Sequence, residues 1–114
     1  MTSPQARKGG NFEREVFSYL SDQLGACVVR PRVTTADVGD IHVHPLVALE
    51  CKCYPRDLVR AIRDAESEGR AAARNSLLPL GVGVVKRPGV TSPAGQLAVM
   101  NLEQFAYLLR EAMA

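Results

Sequence analysis

Two short alternating segments, Asp40 to His44 and Val47 to Cys53, stand with Pro45 between them. On a strand, side chains two apart share a face. Paired as a hairpin, these segments commit the middle of the chain to a β-sheet. Residues 55–75 then repeat with helical period, although Gly69 weakens that helix. Leu80 to Val85 is a short apolar run, expected as a buried strand. Ahead of the hairpin, Asn11 is a fair N-cap for a helix reaching Leu24, and Gly25 stops it. Ala26 to Arg30 reads as a strand ended by Pro31. Residues 88–95 are turn chemistry, and Gln96 to Met100 is a further strand candidate. Asn101 then caps a last helix, with Gln104 as a partial capping box. The predicted order is α-β-β-β-α-β-β-α, an α/β domain with a mixed central sheet flanked by helices.

A chain of 114 residues suits one core, expected over residues 11–114. Residues 1–10 are expected to be a flexible arm made basic by Arg7 and Lys8. Charged residues at 23% and a mean hydropathy of −0.04 exclude a wholly disordered chain. No apolar run approaches the ~18 residues that span a bilayer, and no signal core precedes residue 10. Three cysteines, two of them at 51 and 53, do not make a disulfide framework. These features predict a reduced, cytoplasmic domain without membrane attachment. Charge is partitioned along the chain: Asp37, Asp40 and Glu50 form an acidic island between two basic segments. Basic flanks favour a polyanion, whereas clustered carboxylates favour a divalent cation.

Three features carry possible chemistry. On the first helix, Phe12, Val16, Phe17, Leu20 and Leu24 share an arc, and Glu13 falls within it at about 100° from Phe12. A carboxylate there is either paired with the helix dipole or an arginine, or it is a metal ligand. In the hairpin, Glu50 and Lys52 project together, and Asp40 on the partner strand adds a second carboxylate. Carboxylates with an adjacent lysine form a hard-cation site, or else an ordinary exposed strand face. On the next helix, Arg56, Arg60, Arg63, Arg70 and Arg74 lie within an arc of about 80°, opposite the apolar residues. The stripe suits phosphate contacts or is a solvated face. His42, His44, Cys51 and Cys53 have strand spacing, unlike common structural zinc sites, and the cysteines face away from the acids. The cysteines are expected to be small buried core residues.

Taken together, the residues resemble the PD-(D/E)XK nuclease superfamily and, within it, the archaeal- and phage-type Holliday junction resolvases. The matching elements are Arg7-Lys8-Gly9 leading into Phe12-Glu13-Arg14-Glu15, Val28-Val29-Arg30, Gly39-Asp40-Ile41 and Glu50-Cys51-Lys52. The stretch from Asp64-Ala65-Glu66 to Val84-Val85-Lys86-Arg87 is also similar. The resemblance implies a restriction-endonuclease-like core in which Glu13, Asp40 and Glu50 bind Mg²⁺ (or Mn²⁺) and Lys52 assists the attacking water. The chain departs from the pattern in three places. Asp37 competes with Asp40 for the first acid, Asp64 or Glu66 stands where many relatives carry glutamine, and Pro31 follows Arg30.

The implied activity is metal-dependent hydrolysis of DNA phosphodiesters, with resolution of four-way junctions in recombination and repair as the expected task. Two symmetric cuts from a one-site chain imply a homodimer. Arg7, Lys8, Arg30 and the five stripe arginines are then expected to hold the DNA backbone without reading bases. Six aromatics, several on helix core faces, do not suggest a single-strand stacking platform. Nicking or flap cleavage is the nearest alternative, and a non-enzymatic DNA-binding module using the stripe is the other.

Overall fold

The structure, a computed structural model, describes the backbone of residues 4–114 and the side chains of residues 9–114. The expected order of elements is present: α1 (Pro4–Leu24), β1 (Val28–Val29), β2 (Ile41–Val43), β3 (Val47–Lys52), α2 (Leu58–Ser76), β4 (Leu80–Val85), β5 (Leu97–Val99) and α3 (Leu102–Met113). The five strands lie in the order β1-β2-β3-β4-β5. Only β3 and β4 are parallel, and α2 is the crossover between them. The remaining neighbours are antiparallel.

The β3 alternation divides the two faces. Leu49 joins Phe12, Val16, Val28, Ile41 and Val82 in the core beneath α1, with Cys51 and Cys53 packed against it. Ala48 faces α2 and packs with Ala72 and Ala73, while Ala61, Ala65 and Val85 continue that layer. His42 pairs with Ala48 across the sheet, on the side away from the cysteines. The three thiols are free.

The α2 layer is thin because glycine faces glycine. A Cβ on Gly81 would stand 1.9 Å from the Gly69 carbonyl oxygen, and one on Gly83 would stand 2.5 Å from the Ala65 Cβ. Gly69, a weak helix former, is thus where α2 meets β4 backbone to backbone.

Four expectations about element ends are corrected. α1 begins at Pro4 rather than Asn11, so residues 4–10 continue the helix. Proline suits a first helical turn, and Gly9 and Gly10 cost only about 1 kcal/mol each. Asn11 accepts a bond from the Arg14 guanidinium instead of capping. β1 is shortened to Val28–Val29 by a 3₁₀ turn over Gly25–Cys27. α2 begins after Asp57, whose side chain caps Arg60 N–H, which leaves Arg56 in the preceding turn. Asn101 does cap α3, but Gln104 makes no reciprocal bond. Its Oε1 accepts the Gly81 N–H at 2.6 Å, fastening α3 to β4 below the start of the β5 pairing at Gly83.

Candidate metal centre

Glu50 sits in the middle of β3, on the face that α2 covers. Its neighbour across the parallel register is Gly83, which has no side chain and lets α2 close over it. The residue is only 7% exposed, and its Oε2 has no hydrogen-bond partner. A carboxylate in that state is costly when ionised. Burial first, and then the charges of Asp40 and Asp37, push its carboxyl up to about 8 against the pull of Lys52.

Carboxylate oxygens of Asp37, Glu50 and Glu68 lie within 4.8 Å of one another. The cluster draws on three segments: the loop before β2, β3 itself, and α2. Asp37 is exposed and Glu68 partly so, so the cluster has its buried acid at the base and its open acids toward solvent. Glu68 is held low on the sheet because it precedes Gly69, the residue in backbone contact with Gly81.

Lys52 stands beside these acids. Its Nζ donates to Glu68 Oε1 at 2.9 Å and lies 3.8 Å from Glu50 Oε1. Burial works against the ammonium, but the hydrogen bond and charge of Glu68 prevail and raise its pKa. Lys52 is therefore a cation at neutral pH.

Asp40 lies close to the cluster but is engaged elsewhere. Its Oδ2 accepts the Cys51 N–H at 2.8 Å. Burial raises its pKa and that bond opposes the rise. Glu13 stands on α1 in the field of Asp40, with Arg30 and Arg14 opposing the upward effect of its burial. Neither Glu13 nor Asp40 belongs to the set of oxygens within 4.8 Å. The structure thus brings Glu50 and Lys52 together as expected and adds Asp37 and Glu68, while Asp40 and Glu13 stand outside the closest set.

Glu68 is the residue that sequence reasoning missed. The helix acids that sequence reasoning singled out, as departures from the family's glutamine, were Asp64 and Glu66, and both are occupied. Asp64 accepts from Tyr54 Oη at 3.0 Å and lies 3.6 Å from Arg60 Nε. Glu66 takes Arg70 in a two-point bond at 2.7 and 3.1 Å. The arginine stripe is accordingly divided. Arg63 and Arg74 on α2, and Arg56 in the turn, are exposed and outside the ion pairs found among the described residues, whereas Arg60 and Arg70 are paired. Arg30 lies over the Phe17 ring, 4.6 Å from its centroid. The side chains of Arg7 and Lys8 lie outside the described residues.

The donor set fits a hard divalent cation. It offers only carboxylate oxygens, and one of them is buried without a partner. Four carboxylates, counting Asp40, face one ammonium. No family model, curated protein or solved structure matches the chain.

Proposed function

We propose that the protein is a divalent-metal-dependent DNA endonuclease whose site is the cluster around Glu50. The observation that carries this reading is the Asp37, Glu50 and Glu68 carboxylates within 4.8 Å of one another, with one Glu50 oxygen buried and without a partner and a protonated Lys52 beside them. Asp37, Glu50 and Glu68 would hold Mg²⁺ or Mn²⁺, and the charge of Asp40 acts on Glu50 from outside that set. A bound cation supplies charge neutralisation at the scissile phosphate and a more acidic water.

The chain's own contribution is positional and electrostatic. Lys52 keeps its proton because Glu68 and Glu50 stabilise it, so it serves as a fixed positive charge for a phosphoryl oxygen rather than as a base. Arg63, Arg74 and Arg56 offer free guanidinium groups to the phosphate backbone. Pro31 and the loop after it bring Asp37 to the cluster from outside the sheet.

The finer reading is resolution of four-way junctions by a homodimer, and it rests on the resolvase-like motifs. An exposed stripe on α3, formed by Leu102, Phe105, Leu109 and Met113, supports pairing of two copies. Cleavage of a mobile junction and a sequence-matched duplex, in Mg²⁺, Mn²⁺ and EDTA, tests both levels. Metal-dependent cutting that Glu50→Ala abolishes, with the junction preferred and a dimer in sedimentation, is expected. Cutting in EDTA or by Glu50→Ala overturns the site. Equal cutting of both substrates by a monomer overturns the junction reading alone.

A further inference from the structure

The acids of the cluster differ in how they are held. Glu50 is fixed by its strand and Glu68 by its helix, but Asp37 comes from an irregular loop and is exposed. A loop acid contributes to a cation site only if its backbone is placed in advance. Several bonds do this. Asp37 Oδ1 accepts the Gly39 N–H at 2.9 Å, which leaves its other oxygen for a cation. Gly39 has φ +91 and lies against the Leu49 carbonyl, and Asp40 N–H donates to that same carbonyl at 2.8 Å. The ring of His42, buried on β2, places Nε2 2.5 Å from Val38 O. These contacts tie the loop to the sheet.

One bond ties it to α2. Asn75 Nδ2 donates to the backbone carbonyl of Asp37 at 2.6 Å. Asn75 is two turns beyond Glu68 and within about 20° of it around the helix. A single helix face therefore carries one acid of the cluster and a donor that fixes the main chain of another. Asn75 is exposed, so burial does not explain its place.

We propose that Asn75 is a positioning residue that sets Asp37 at the distance from Glu50 and Glu68 that a divalent cation requires. The inference rests on the reading of the cluster as a cation site. Residues that orient ligands in this way change metal affinity without touching the metal.

The test measures Mn²⁺ binding by the full chain, by titration calorimetry and by electron paramagnetic resonance, together with urea unfolding in EDTA. Asn75→Ala is expected to weaken Mn²⁺ binding about tenfold with its urea midpoint unchanged. Asn75→Asp keeps the shape but removes the donor, and it is expected to weaken binding as well, although its added charge alone would attract the cation. Asn75→Gln, with the donor on a longer arm, is expected to recover part of the affinity. Wild-type affinity in Asn75→Ala, or tighter binding in Asn75→Asp, overturns the proposal. If Glu50→Ala loses Mn²⁺ while Asn75→Ala keeps it, the cluster stands and the role of Asn75 does not. Absence of Mn²⁺ binding by the wild type overturns both.

Discussion

Glu50→Gln should make the metal-free protein more stable at alkaline pH while removing the centre of its cation site. The unfolded carboxyl releases its proton near 4.5, and the folded one near about 8. Between those values the folded state binds more protons than the unfolded state, so stability falls as pH rises through the window. At about 1.4 kcal/mol per pH unit, the ionised group costs the fold roughly 5 kcal/mol once both states are deprotonated. At pH 8, where half the folded molecules still hold the proton, the loss is roughly 4 kcal/mol. Glutamine keeps the shape and carries no charge, but its buried amide retains an unmet hydrogen-bonding need of roughly 1 kcal/mol. The variant is therefore expected to match the wild type near pH 5 and to exceed it by roughly 3 kcal/mol at pH 8. Urea unfolding in EDTA from pH 5 to 9 measures the difference directly. Mn²⁺ at a hundredfold excess over its dissociation constant should then stabilise the wild type by about 2.7 kcal/mol and leave the variant unmoved. A wild type that is the more stable at pH 8, by a margin independent of pH, would refute the reasoning. It would mean that Lys52 already compensates the buried charge.

Two further predictions concern the surface and the lock between α2 and β4. Arg63→Ala with Arg74→Ala should weaken binding to every DNA sequence alike and flatten the salt dependence by about 0.9 per lost phosphate contact. Arg70→Ala, already committed to Glu66, should do neither, and an unchanged slope in the double variant would leave the stripe a solvated face. Gly81→Ala places a methyl against the Gly69 carbonyl and should cost about 3 kcal/mol or more, with a Tm loss on the order of 10 °C. A Tm within a degree or two of wild type, read by calorimetry in EDTA, would show that α2 does not need this close approach.

Much of the fold was legible because period and punctuation agree. The β2–β3 alternation, the apolar β4 run and the Asn101 cap all survive in the structure. The start of α1 was not legible, because Gly9, Gly10 and Asn11 are breaker and cap residues when read locally. The helix nonetheless runs through them back to Pro4, a residue suited to a first helical turn. In the site, Glu50 and Lys52 were readable as neighbours on one strand face. Glu68 was hidden because it meets Lys52 across 16 residues of sequence, a relation that no helical or strand period encodes. A local signal was present all the same. Glu68 lies at the edge of the apolar arc of α2, next to Gly69, whereas Glu66 lies one turn before Arg70 and pairs with it. An acid beside a small residue on a packed face has little room for any partner except one across the interface.

This explains why the acids and the glycines belong to one argument. Gly81 and Gly83 have no side chains to separate α2 from β4, and so the helix comes down far enough for Glu68 to reach Lys52. The same approach buries Glu50 and raises its pKa, which destabilises the metal-free fold at alkaline pH. Side chains at positions 81 and 83 would lift α2, relieve the burial of Glu50 and carry Glu68 away from it. Asn75, farther along that helix, would draw the Asp37 carbonyl with it or release the loop. Packing of α2 on β4 and assembly of the acids are therefore one equilibrium. A substitution that loosens the first is expected to disperse the acids of the cluster, and so to weaken Mn²⁺ binding in a titration, even when it lies outside the cluster.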